Sequence, residues 1–289
     1  MQELKFYGIR DGNDYNTMMR VSLYENACKT RNIKYVDVDA SNFDYSSIPI
    51  LTKNDFLFKI GRGGFRIESL LLNDEVITFY KRNPKTWFLR CTSEFDIIYE
   101  KERINKPKTI HYTSPNKTLL KKYVEYLNGF PLIIKVAGGS FGMGVIKVDS
   151  WENLISTIEF LYAEKKEIIL KQFIKSDYAI RLLVIGDKVV HSVKSLNQKG
   201  DFRSNSGPLI CEDITPSVEI INTAIKSVHL AGVELGGVDI IVDEKGSHYL
   251  LEMNFPCSII SQTIAGFDAA GAMVDYLIEK RSKYIEKIG

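Results

Sequence analysis

The stretch GGVDIIVDEKGSHYLLEMN, residues 236–254, holds two carboxylates that can work together. Side chains alternate along a strand, so Glu252 and Asn254 share a face. With the turn centred on Lys245 and Gly246, pairing outward sets Asp243 opposite His248, Ile241 opposite Leu250 and Asp239 opposite Glu252. Two carboxylates directly opposed on one face repel each other. The apolar strands around them raise the cost of keeping both charged. A divalent cation removes both problems. Oxygen ligands from Asp, Glu and Asn suit Mg²⁺, which takes few protein ligands and fills its shell with phosphate oxygens and water. A register one residue away would instead leave the pair on a solvent face.

A second stretch, GGSFGMGV at 138–145, packs four glycines into seven residues. A Walker loop needs Lys-Ser or Lys-Thr after its last glycine; here Val145 follows Gly144. A dinucleotide fingerprint runs GxGxxG before a helix; here Gly139, Gly142 and Gly144 run GxxGxG, and VIKVD after them reads as a strand. A glycine hairpin between strands can lay its backbone N–H groups on phosphate oxygens, because no Cβ intervenes. Lys135, on the preceding strand, reaches a phosphate as a point charge. The same residues also fit a tight hairpin with a surface lysine. A third stretch, GDFRSNSG at 200–207, is a polar loop. Its Arg203 suits a carboxylate or acyl phosphate bidentately, and Asn205 both donates and accepts.

The elements that must position these groups follow from periodicity. LKFYGI, IKYVDVD and DFLFKIG read as strands, and YNTMMRVSLYENACKTRN as a helix with Met18, Val21, Leu23 and Ala27 near one face. This βαβ rhythm predicts a small open α/β domain. EFDIIYEKERI is a helix. PLIIKVA and VIKVD flank the glycines, SWENLISTIEFLYAEK is an amphipathic helix capped by Ser150, and EIILKQFI is a strand. AIRLLVIGDKVVHSVKS is a hairpin turning at Gly-Asp. SVEIINTAIKSVHLAGV and GFDAAGAMVDYLIEKRSKYI are helices.

Bulk properties exclude several classes. The chain has 289 residues, 45% hydrophobic and 26% charged, with 38 basic against 36 acidic side chains. That near-balance gives no electrostatic case for nucleic acid or an anionic membrane. No apolar run approaches a bilayer span, and the N-terminus lacks an apolar core of signal-peptide length. Cys28, Cys91, Cys211 and Cys257 have no CxxC spacing, and the four histidines are dispersed. A reduced, cytoplasmic protein without a His/Cys zinc site is expected. Cys257 reads as a small buried thiol rather than a nucleophile, and GRGGFR, 61–66, as a turn rather than an anion site.

Taken in order, these segments resemble the ATP-grasp superfamily and, within it, the RimK-like carboxylate–amine ligases. The likeness runs from about Lys106 to Lys280 through PLIIKVAGGSFGMGV, ILKQFI, IRLLVIGDKVV, GDFRSN, GGVDIIV and LLEMN. It implies an ATP-grasp fold of the α/β (α+β) class. Residues 1–105 would form a small N-terminal α/β domain, 106–175 a central lid subdomain, and 176–289 a C-terminal antiparallel-sheet subdomain. It implies ATP as cofactor with one or two Mg²⁺, Mn²⁺ being an alternative. Lys135 would touch the phosphates beneath the backbone of Ser140, Phe141, Gly142, Met143 and Gly144. Lys171, Gln172, Phe173 and Ile174 would line the adenine pocket, with Asp177 at the ribose. Arg181, Lys194 and Arg203 would face the reacting phosphate or carboxylate, and Asn205 would lie near the metal and the acceptor. Asp239, Glu252 and Asn254 would hold the metal.

The implied reaction is ADP-forming amide synthesis through an acyl phosphate, joining an amino acid to a peptide, protein or small molecule. The implied partners are small-molecule carboxylates and amines, with a peptide or carrier protein as a further acceptor. Neither nucleic acid nor membrane is implied, and homo-oligomerisation stays open. The chain departs from the family pattern in four places, one of them the short loop SGPLICEDITP after RSN. RCTSEFDIIYEKERI has no lysine near its start, leaving Arg90 or a later lysine to substitute. Ala179 stands where the family has Asp, and NFPCS replaces a Pro-Gly after Asn254. A small-molecule kinase or a non-catalytic ATP-binding protein would use the same nucleotide site.

Overall fold

The computed structural model describes residues 3–61, 63–84, 92–136, 144–196 and 211–288, with the backbone alone for 92–94 and 288. Among these residues the chain builds three sheets. The first is parallel, in the order β2-β1-β3, from β1 (Lys5–Arg10), β2 (Lys34–Asp39) and β3 (Asp55–Lys59). The crossover is α1 (Tyr15–Lys29), started by Asp14, whose carboxylate accepts from the Thr17 N–H at 3.1 Å. Its buried face is Thr17, Val21, Tyr24, Ala27 and Cys28. The face expected from sequence is therefore rotated: Met18 is 38% exposed. Tyr24 takes the central place because its ring stacks on Phe6 of β1, centroids 5.7 Å apart. Two helices follow, α2 (Phe65–Leu71) and α3 (Thr92–Lys101).

The second sheet is antiparallel, in the order β4-β7-β5-β6, from β4 (Thr109–Ile110), β5 (Leu132–Val136), β6 (Val145–Val148) and β7 (Ile168–Gln172). Leu132, Ile134, Ile168 and Leu170 point to one side and are buried under α4 (Lys117–Tyr126) and α5 (Trp151–Ala163), with Leu120, Leu154 and Ile158. Of these two helices only α5 is expected from the sequence. Strand alternation sends the intervening residues to the other side. Register puts Lys171 and Lys147 on the two flanks of Ile133, and Lys135 beside Ile169. Three lysines thus occupy the face that the two helices leave open.

The third sheet, β10-β9-β8-β11-β12, is also antiparallel. It comprises β8 (Tyr178–Ile185), β9 (Lys188–Leu196), β10 (Cys211–Asp213), β11 (Leu235–Val242) and β12 (His248–Asn254). Ile180, Leu182, Val238 and Ile240 pack against Ile220, Ala224 and Val228 of α6 (Val218–Leu230), with Phe95 and Tyr99 of α3 in the same core. Their strand neighbours, Arg181 and Asp239, therefore face the other way. A short helix, α7 (Ile260–Ile264), precedes α8 (Ala269–Ile288), which lies against α1. Met273, Val274 and Leu277 of α8 share one core with Phe6 and Phe56 of the parallel sheet and Leu183 and Leu235 of the third. Lys280 of α8 adds a polar tie, donating to the Thr78 and Tyr80 carbonyls at 2.9 and 2.7 Å and pairing with Glu234.

Among the described residues no helix is long and apolar enough to cross a membrane. The helices of the second and third sheets start on side-chain caps. Asn116 accepts from the Leu119 N–H at 3.1 Å and Ser217 from the Ile220 N–H at 3.4 Å. Replacing either by Ala is expected to lower stability by about 1 kcal/mol, read as a shift in urea midpoint without a change in slope.

Candidate active site

Asp239 pairs directly with Arg181 on one neighbouring strand and with Glu252 on the other. The expected Asp239–Glu252 rung is present. The expected inner rungs are corrected: they are Ile240–Leu250, Ile241–Tyr249 and Val242–His248, with a register shift between Asp239 and Ile240. The turn explains the difference. Asp243 N–H bonds to Ser247 O at 2.9 Å, leaving a three-residue loop in which Gly246 has φ 84°. Three-residue hairpin loops place such a glycine at the left-handed position. The Asp243 carboxylate folds back onto the Lys245 and Ser247 N–H groups, at 2.9 and 2.8 Å. A bulge leaving Leu251 as the extra residue then restores the rung that matters.

The side chains on this rung are matched in pairs. Arg181 Nη1 donates to Asp239 Oδ2 at 2.6 Å. Lys135 reaches across from the second sheet, its Nζ 3.3 Å from Glu252 Oε2. Asn254 Nδ2 donates to Glu252 Oε1 at 3.0 Å and, at 3.4 Å, to Asp239 Oδ2. Gly237 lies beneath the guanidinium: a Cβ there would stand 2.8 Å from Arg181 Nε. Arg181 Nε is itself buried and has no acceptor among the described residues. Burial pushes the Asp239 carboxyl up; Arg181 pulls it back, Glu252 pushes it further, and it stays above its ordinary value. Burial also acts on Glu252, but Lys135, Asn254 and Arg181 together outweigh it and hold that carboxyl below its ordinary value.

The donor set fits a hard divalent cation. Among the described residues no three His, Cys, Asp or Glu side chains converge; the set is two carboxylates and an amide, all able to present oxygen. One carboxyl on the rung is raised, which a cation would relieve.

The remaining expected residues divide. Lys171 stands on the same sheet face as Lys135 and pairs with Asp96. The Gln172 N–H donates to Lys108 O at 2.9 Å. Phe173 carries the Lys147 ammonium 5.1 Å from its ring centroid. Ile174 is half-buried and Asp177 exposed, in the segment joining β7 to β8. Gly144, φ 80°, accepts from the Val136 N–H at 2.9 Å, extending the pairing of β5 with β6. Lys194 is a correction. It pairs with Ile180, on the α6 side of the sheet, and its ammonium sits 4.4 Å from the Tyr178 ring centroid. Strand parity keeps it off the face of Arg181. Ser140, Phe141, Gly142, Met143, Arg203, Asn205 and Arg90 lie outside the described residues.

Sequence reasoning missed Asp96 and Lys106. Asp96, on α3, holds Lys171, and Lys106 Nζ stands 3.8 Å from its other oxygen. Lys106 is joined to Lys171 through Asp96. Its position before Pro107, outside any periodic element, gave no signal. Cys257 is buried, and burial pushes its thiol up to about 11, which suits an inert thiol. In the GRGGFR turn the Gly63 N–H is taken by the Asp11 carboxylate.

Comparison with known proteins gives a consistent picture. The model of the RimK-like ATP-grasp domain matches residues 95–277. A probable alpha-L-glutamate ligase of Ectopseudomonas mendocina is 31% identical over 186 residues, 62% of this chain and 60% of that protein, so the match spans less than two thirds of that relative. Another, of Syntrophotalea carbinolica, is 30% identical over 217 residues, 72% of this chain and 70% of that one. Among solved structures, the ATP-grasp ligase PsnB complexed with a minimal precursor superposes with a TM-score of 0.71 at 16% identity, covering 96% of this chain and 99% of that one. That likeness establishes the fold.

The depressed Glu252 carboxyl stabilises the fold above its unfolded-state value of about 4.3, and that contribution is lost as pH falls through the lower folded value. Glu252→Gln is expected to be less stable than wild type near neutral pH. The gap should narrow as the pH is taken from about 7 to about 3.5 in urea titrations; a gap independent of pH would contradict the assignment.

Proposed function

Because this chain belongs to the RimK-like ATP-grasp family, we propose that it is an ADP-forming carboxylate–amine ligase that joins an amino acid to a peptide, protein or small-molecule partner. The observation that carries the reading is the Asp239–Glu252 rung with its two cations, Arg181 from the same sheet and Lys135 from the facing one. Mg²⁺ bound by Asp239, Glu252 and Asn254 would supply charge neutralisation at the transferring phosphoryl group. The names of the relatives support an amino-acid substrate, and the precursor bound by PsnB supports a peptide acceptor.

The reaction divides into two displacements. A substrate carboxylate oxygen attacks the γ-phosphorus of ATP, the bond to the bridging oxygen breaks, and ADP leaves with an acyl phosphate formed. The amine then attacks the acyl carbon, loses a proton and expels phosphate. Lys135 and Arg181 stabilise charge on the phosphoryl oxygens, the buried Arg181 Nε–H being a donor with no protein acceptor among the described residues. Phe173 and Ile174 offer an apolar wall for the adenine, Lys171 and Gln172 flank it, and Asp177 reaches the ribose. Ser140–Gly144 cover the phosphates and keep water from the acyl phosphate. Arg203 and Asn205 complete the acceptor side.

The test is ADP release from ATP with amino acids and peptides offered as paired substrates, products being identified by mass spectrometry. ADP release that needs both a carboxylate and an amine is expected, with Glu252→Gln lowering turnover at least ~100-fold. Release indifferent to the carboxylate, with a stable phosphate ester as product, would make the protein a kinase. Turnover unchanged in Glu252→Gln would remove the site assignment.

A further inference from the structure

Lys106, Asp96 and Lys171 cluster together with little exposure, their side chains 6%, 9% and 13% exposed. They come from three elements: Asp96 from α3, Lys106 from the segment entering β4, and Lys171 from β7. Asp96 Oδ2 takes the Lys171 ammonium, and Oδ1 stands 3.8 Å from Lys106 Nζ. Lys106 also donates to Thr109 Oγ1 at 3.1 Å and lies 3.4 Å from Glu100 Oε2. Glu100 is about half exposed and shared with His111 at 2.8 Å. The main chain fixes the same joint, because Leu250 N–H of β12 bonds to Asn105 O at 2.9 Å.

The charges here differ in how deeply their partners are buried. Lys135 and Arg181 are matched one to one by Glu252 and Asp239. Among the described residues, Lys106 and Lys171 share one buried carboxylate, the other partner being a solvated glutamate. A buried ammonium short of counter-charge is destabilising, and an apolar side chain of similar volume would stand there at less cost. Burial accordingly pushes the Lys171 ammonium below its ordinary value. Lys171 lies on the strand adjacent to Lys135, two residues along and on the same face. An ammonium anchored by Asp96 on that face suits an anion arriving from the cleft.

We propose that Asp96 is a positioning residue for nucleotide binding: it anchors the Lys171 ammonium, with Lys106 behind it, on the sheet face that receives the anionic nucleotide. This rests on the nucleotide reading above. Asp96 makes no contact with the nucleotide; it acts through Lys171. Replacing it by Asn keeps the shape and removes the charge that orients the lysine.

Calorimetric titration with Mg²⁺–ADP tests this, using wild type, Asp96→Asn, Asp96→Glu, Lys171→Gln and the Asp96→Asn/Lys171→Gln double variant. Asp96→Asn is expected to weaken binding about tenfold, and to add less than about twofold in the Lys171→Gln background. Asp96→Glu should recover most of the loss, and KM for ATP should rise in Asp96→Asn with kcat little changed. Wild-type affinity in Asp96→Asn, or the same loss with and without Lys171, overturns the proposal while leaving the nucleotide reading intact. Absence of ADP binding by wild type overturns both. Should Asp96→Asn fail to fold, Lys171→Gln decides: affinity within about twofold of wild type means that Lys171 does not meet the nucleotide, and the proposal falls.

Discussion

Two carboxylates face each other across a single rung of sheet, and the surrounding structure is arranged to make that tolerable. Asp239 and Glu252 repel, and both sit among apolar strands. Neither can stay charged there without a partner. Asp239 takes its cation from the next strand of its own sheet, and Glu252 takes Lys135 from a different sheet. The repulsion on one rung is thereby converted into an attraction between two sheets. Removing one member of a buried pair leaves the other unmatched, which is why such groups behave as a unit.

The architecture supplies this with few parts. Alternation along β8 and β11 gives α6 an apolar face and leaves Arg181 and Asp239 on the other. Alternation along β5 and β7 does the same under α4 and α5 and leaves Lys135 and Lys171. Gly237 makes room for the guanidinium. Groups mounted on strands are held more precisely than groups on loops. The Lys135-bearing face of one sheet and the Glu252-bearing face of the other are joined by the short segment after Gln172 and meet at the Lys135–Glu252 pair.

Much of this was readable in the residues. The opposed carboxylates stood out because charge interrupts an apolar alternation, and a strand keeps a charge there only where something pairs with it. The register near the turn was not readable, because a two-residue and a three-residue loop differ only in how Gly246 is used; the bulge at Leu251 cancels the slip before Asp239. Lys194 was misplaced because unbroken pairing from the Gly186-Asp187 turn sets it opposite Ala179, on the face of Arg181; the register shift between Leu183 and Val184 moves it opposite Ile180, on the α6 side. The face of α1 was misjudged because apolarity alone ranked Met18 above Tyr24, whose ring stacking decides the packing. The Lys106–Asp96–Lys171 group was invisible for a different reason. Its members are brought together by tertiary packing, with no periodic relation in sequence.

The central claim is that Asp239 and Glu252 form one cation-dependent unit with the cations that face them. The most direct measurement is the affinity for ADP with and without Mg²⁺, in wild type and in Asp239→Asn. Mg²⁺ should strengthen binding to wild type by about tenfold or more, and that gain should vanish in Asp239→Asn. Equal gains in both proteins, or none in either, would contradict it.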